Sequence, residues 1–144
     1  MICTDAEIIG PWVAEQTGFK WIPKRSSAIG RIKGGEIVAG VLYEDYNGVN
    51  VVCHIAGVGR WMNRSLLCLI FDYPFRVLGC SRITAVIAES NEKSRKLVEH
   101  MGFTVEANLH QAHPDGDLIV YKMTLDNCRW LKELPYDKVF SRPS

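Results

Sequence analysis

Residues 71–103 read FDYPFRVLGCSRITAVIAESNEKSRKLVEHMGF, and the fold turns on where the pattern changes within them. Arg82–Ala88 is rich in β-branched residues and too short for a helix, so it predicts a strand. Asn91–Met101 then switches to helical spacing. Ser94, Leu97, Val98 and Met101 share one face, Asn91 suits the N-cap, and Gly102 suits the left-handed residue that closes a helix. Before the strand, apolar positions at Leu66, Leu67, Ile70, Phe71 and Leu78 predict a helix over about 62–78. Pro74 falls inside that pattern and must kink or break it near Tyr73.

Working outward, residues 27–56 follow a period of two. Ala28–Lys33, Glu36–Glu44 and Val49–Ala56 read as three strands, with Gly34-Gly35 and Asn47-Gly48 as tight turns between them. A glycine-punctuated loop, Gly57-Val58-Gly59-Arg60, joins this meander to the 62–78 helix. Residues 5–17 read as a helix capped by Asp5, with Ile8, Ile9, Trp12 and Val13 as its apolar stripe and Gly18 as its end. Phe103–Ala112 and Asp117–Leu125 are strands joined by Pro114-Asp115-Gly116, a turn with a clear mechanism. Residues 126–134 read as a short helix and 135–144 as an irregular tail. The order α-β-β-β-α-β-α-β-β predicts one α/β domain over residues 1–134. Its sheet is mixed and mostly antiparallel, with helices on both faces. The helical crossover makes the third and fourth strands a parallel pair.

Composition narrows the function classes. The chain has 144 residues, 47% hydrophobic and 23% charged, which fits one globular domain with a real core. A net charge of +1 makes no global case for nucleic acid. Cys3, Cys53, Cys68, Cys80 and Cys128 are widely spaced and odd in number, so they read as reduced, mostly buried thiols. His110 and His113 lie close together but have no cysteine near them, so they read as loop or strand histidines and no metal is expected. The start, Met1-Ile2-Cys3-Thr4-Asp5, lacks a signal-peptide pattern, and the longest apolar run, Leu66–Phe71, is too short to span a bilayer. A cytoplasmic protein with no membrane partner is expected.

The run Asn91-x-x-Ser94-x-x-Leu97-x-Glu99-x-x-Gly102-Phe103, following a Leu78-Gly79 and an arginine-led strand, resembles the second half of the GNAT N-acetyltransferases. It is closest in spelling to the Rim-type ribosomal-protein enzymes, and the compact members encoded by phages are a further likeness. Glu106, Gly116 and Tyr121-Lys122-Met123 resemble the family's last hairpin. The good match covers the C-terminal half, while the first half agrees in strand order. The family's phosphate loop usually reads (Q/R)-x-x-G-x-(G/A). Here Gly57-Val58-Gly59-Arg60-Trp61-Met62-Asn63-Arg64 departs from that order. The tyrosine that many members carry as a proton donor is Val98 here.

The resemblance implies acetyl-CoA as acyl donor and an amine as acceptor, a protein N-terminus or lysine among the choices, in a monomer or homodimer. It places the pantetheine arm along Cys53–Gly57, where the parallel strands splay, with Ile55, Ala56 and Ile87 as apolar lining. Gly57, Gly59, Arg60, Asn63 and Arg64 are the implied phosphate-loop residues, since a helix N-terminus and arginines suit a pyrophosphate. Arg95 is a weaker candidate. Asn91 and Ser94 are implied ligands of the arm, with Ser94 also the donor to the leaving sulfur.

His54 is the candidate base. Alternation puts it on the more polar face of its strand, and histidine titrates in the useful range. The bland alternatives stand beside these: a satisfied strand histidine, an ordinary strand-to-helix turn, an N-cap and a small packing residue. Glu44, Glu89 or a water are rival bases. A second function of a different class is also open, a catalytically weak GNAT scaffold that binds and modulates a partner protein.

Overall fold

The computed structural model describes residues 1–18 and 26–133. Leu134 of the expected 126–134 helix and the tail expected at 135–144 lie outside the described residues. Strand β1 is only Ile2–Cys3, too short to show a period, and the sequence did not predict it. Helix α1, Ala6–Thr17, starts where the Asp5 carboxylate accepts from the Glu7 N–H and stops at Gly18, whose φ is 77°. The meander follows as β2 (Ser27–Lys33), β3 (Glu36–Glu44) and β4 (Asn50–Gly57).

The helix predicted over 62–78 is shorter at its start and altered at its end. Asn63 caps α2 (Arg64–Asp72), its Oδ1 accepting from the Leu66 N–H at 2.8 Å. Met62 is thus outside, and Pro74 changes the rest. A proline has no N–H to give to Ile70, and its ring pushes against that carbonyl. The chain widens into one π-type turn at Tyr73–Val77, with the Leu78 N–H reaching back to Tyr73 O at 2.9 Å. The freed Ile70 carbonyl accepts instead from the buried Tyr43 hydroxyl at 2.5 Å. A residue of β3 thereby repairs the break in α2.

After the π turn come β5 (Arg82–Ala88), α3 (Glu92–Met101), β6 (Thr104–His113) and β7 (Gly116–Thr124). The expected helix over 126–134 is a 3₁₀ turn, Leu125–Asn127, and then a four-residue helix α4, Trp130–Glu133. Asn91 and Gly102 cap α3 as the sequence predicts. Seven strands form one sheet in the order β1-β2-β3-β4-β5-β7-β6. Every pair is antiparallel except β4–β5.

Two clusters sandwich this sheet. The larger joins α2, α3 and α4 to the face carrying Val41, Tyr43, Val51, Cys53, Ile83 and Ala85. The smaller seats Ile9 and Val13 of α1 on Ala28 and Leu42. Gly30 and Gly40 let α1 sit this close: a Cβ at either would fall 2.3 Å and 2.8 Å from the Ile9 and Val13 side chains. The tyrosine hydroxyl of Tyr121 ties α3 to β7, donating to Glu99 Oε2 at 2.6 Å and accepting from Arg95 Nε at 3.2 Å. Buried apolar area of this kind contributes on the order of 25 cal/mol per Å² and dominates the stability of such a domain.

Candidate active site

The parallel pair is the geometric source of the site. Strands β4 and β5 are in register only at Asn50↔Arg82, Val51↔Ile83 and Val52↔Thr84. Both strands continue, β4 to Gly57 and β5 to Ala88, but they no longer pair with each other. A cleft opens in the splay. Strand alternation divides its walls. Cys53, Ile55, Ala85 and Ile87 belong to the face under α3, where Asn91, Ser94 and Val98 close it. His54, Val86, Ala88 and Leu118 belong to the opposite face, with Thr17 and Gly18 at the end of α1 beside them. Residues of both faces of the sheet therefore line one cavity between the strands. A second hollow continues it along the end of β4, past Ile55, Ala56 and Gly57 to Ser94 and Leu97.

His54 stands at the point where the pairing ends. It lies opposite Leu42 across β3, and its Nε2 sits 3.2 Å from Glu44 Oε2. Its side chain is 15% exposed. Burial pushes the imidazole pKa below its ordinary value, and the Glu44 carboxylate, with Asp45 behind it, partly offsets that. The ring is neutral near pH 7 and can accept a proton. Glu44, a rival base in the sequence, is the partner of His54. Its signal was the β3–β4 register, in which the two residues are diagonal neighbours.

Asn91 Oδ1 accepts from the Ser94 N–H at 3.2 Å, so the cap joins two residues that also line the cleft. The amide NH₂ of Asn91 remains as a donor. Cys53 lies in the same wall, but burial raises its thiol to about 12. It is no nucleophile at neutral pH, because the thiolate is the reactive form.

The phosphate-loop candidates sit differently. Gly57 touches the cleft, but the space where its Cβ would be is taken by the Trp61 indole, 2.1 Å from that point. Arg31 Nη1 holds the Trp61 carbonyl at 2.7 Å. Gly59 has φ 63° and open space around it. Arg60, Asn63 and Arg64 are exposed at the start of α2 and do not line the cleft. Arg95 is committed to Tyr121 and to the Glu89 carbonyl at 3.0 Å.

His54, Ile55, Asn91 and Ser94 are thus brought together, with Gly57 at the cleft's end. The unpaired edge of β4 fits an extended ligand bearing amides, which can add to it as a strand would. Thr17, Gly18, Val86, Leu118 and His113 complete the walls and carried no signal in the sequence. Among the described residues no helix is long and apolar enough to cross a membrane.

None of the curated proteins matches the chain. Solved structures do. A point mutant of the spermidine N-acetyltransferase from Vibrio cholerae superposes with TM-score 0.69 at 14% identity, covering 91% of this chain and 97% of that one. Mutant forms of the spermidine/spermine N-acetyltransferase from the same organism give TM-score 0.70 at 14% identity, covering 92% and 97%. A crystal structure of a putative acetyltransferase gives TM-score 0.61 at 19% identity, covering 71% and 60%. At these identities the likeness is one of fold. The family model for the acetyltransferase (GNAT) domain matches residues 27–118, which include the splayed pair, the glycine loop and all of α3. The chain belongs to the GNAT acetyltransferase family.

Proposed function

We propose that the protein transfers an acetyl group from acetyl-CoA to an amine, and that it does so across the splay between β4 and β5. The observation that carries this reading is one cavity lined from both faces, with His54 on one side and Asn91 and Ser94 on the other. Acyl transfer to nitrogen needs a proton taken from the amine and one given to the leaving sulfur. His54 is neutral, buried and oriented by Glu44, so it takes the amine proton. Ser94, one turn into α3, supplies the proton to the sulfur. Acetyl-CoA supplies the activated acyl group, and the free edge of β4 holds its arm. Backbone N–H groups at the start of α2, with Arg60 and Arg64, hold its phosphates. The raised thiol of Cys53 argues for direct transfer, without an acyl-cysteine.

The Rim-type spelling of Asn91–Phe103 supports a protein N-terminus or a lysine as acceptor. The structural neighbours named as spermidine acetyltransferases support amine acetylation more broadly. A cytoplasmic setting and a monomer or homodimer complete the reading. Calorimetry with acetyl-CoA, followed by mass spectrometry of an amine panel, tests it. Micromolar binding and a +42 Da product, the mass of one acetyl group, are expected. No binding at high micromolar ligand would overturn it and leave the scaffold reading in its place.

A further inference from the structure

The end of β6 is built irregularly, and it carries a histidine into the cleft. Register with β7 holds at Leu109↔Leu118 and resumes at His113↔Gly116, so β6 has extra residues that β7 does not match. Gln111 takes up the excess with φ 54°, a left-handed conformation that a residue with a side chain rarely adopts. Asp117 pins it: its Oδ1 accepts from the Gln111 N–H at 2.9 Å. That bond, with His110 beside it, holds the Asp117 carboxyl below the usual range. Bulges of this kind cluster next to functional sites. The insertion is of two residues, so it leaves His113 on the face of Leu109 and Leu118 while lengthening β6, and His113 lines the same cleft as His54.

Asp115 meets the His113 Nδ1 twice, with its backbone N–H in hydrogen-bond range and its carboxylate Oδ2 farther off at 3.9 Å. The Asp115 N–H donates to the His113 Nδ1 at 3.1 Å. In a neutral imidazole an accepting Nδ1 leaves the proton on Nε2. The ring therefore brings a hydrogen-bond donor to the wall it shares with Thr17, His54, Val86, Ala88 and Leu118. This is the face of the sheet opposite α3, the side on which His54 takes the amine proton in the reading above, on which this inference rests.

We propose that His113 is a substrate-binding residue, and that its Nε2–H reads an oxygen carried by the acceptor close to its amine. The favoured class is an amine bearing a carbonyl near the nitrogen, as in an α-amino acyl group, over a plain alkylamine. An amine without such an oxygen offers this donor no acceptor, so it gains nothing from it.

Two variants separate this from a role in the turn alone. His113→Asn keeps an oxygen for the Asp115 N–H, as an Asx-turn does, but lacks a donor at the Nε2 position. His113→Gln returns an N–H near that position. The probes are alaninamide and propylamine with saturating acetyl-CoA. His113→Asn should lower kcat/KM for alaninamide about tenfold, the size of one good hydrogen bond, through KM, and leave propylamine within about twofold. His113→Gln should restore most of the loss. Equal losses on both amines, no loss on alaninamide, or a parent enzyme that acetylates propylamine but not alaninamide would overturn the proposal. Turnover of neither amine would also overturn it. Acetyl-CoA binding in calorimetry then tells whether the acyl-transfer reading falls with it.

Discussion

At the scale of single residues, the most exposed claim concerns His54. Its pKa is lowered chiefly by burial, so the neutral form is favoured in the folded protein. The sign follows. Neutral His54 contributes its stability above the unfolded value near 6.5, and that contribution is lost as pH falls from there through the lower folded value. Activity should follow the neutral form and decline on the acid side, with its midpoint below 6.5, in a pH profile of kcat/KM. His54→Ala should cut kcat by about 10² or more and leave acetyl-CoA affinity unchanged. An unchanged rate at saturating amine would pass the role to Glu44 or a water. Tyr43 offers a test of structure. Tyr43→Phe leaves the Ile70 carbonyl buried with no donor, which costs about 1–3 kcal/mol. Urea titration should show a lower midpoint at unchanged m-value. His54 was legible in the sequence because alternation along one strand is local. The Tyr43 bond was not, because it joins residues 27 apart in the chain. His113 was hidden for another reason: the one-residue bulge between Val105 and Ala107 shifts the alternation along β6 that would have placed it.

Elements carry the next pair of predictions. Gly57→Ala puts a methyl group into the Trp61 indole, against a ring that Arg31 anchors through its carbonyl. Overpacking of this kind costs roughly 1–3 kcal/mol. Thermal unfolding should show the loss, and adding Trp61→Leu should recover part of it in a double-mutant cycle. Independent behaviour of the two changes would refute the contact. The start of α2 answers a different question. Replacing Arg60 and Arg64 together by Ala should weaken CoA by about tenfold or more, with a larger loss at low salt. Calorimetry at two salt concentrations reads this directly. An unaltered affinity would return the loop to a plain connector. Most elements are legible in the sequence, because caps are short-range chemistry: Asp5, Asn91, Gly18 and Gly102 all act where the sequence puts them. The start of α2 was misplaced because Met62 fits the apolar stripe, while Asn63, the true cap, was read as a ligand. The two residues of β1 were invisible because no period fits in so short a run.

For the whole molecule, the decisive feature is that the sheet is two blocks of strands. Strands β1–β4 come from residues 2–57, and β5, β7 and β6 come from residues 82–124. A ligand lying in the splay touches both. Acetyl-CoA at about 100 times its Kd should add about 2.7 kcal/mol to the folded state. Hydrogen exchange should slow at residues 53–57 and near Asn91 together, on opposite sides of the cleft. Protection confined to one block would argue that the ligand sits elsewhere. The three-residue register between β4 and β5 also has a mechanical meaning. Hydrogen bonds along a seam share an applied load, and here few are available to share it. Pulled apart at residues 57 and 88, the protein should open from the splay end like a zipper, at low force and with little strain elsewhere. A molecule bound across the gap would act as a rivet. In a single-molecule pulling experiment the occupied protein should therefore yield later and more abruptly than the empty one.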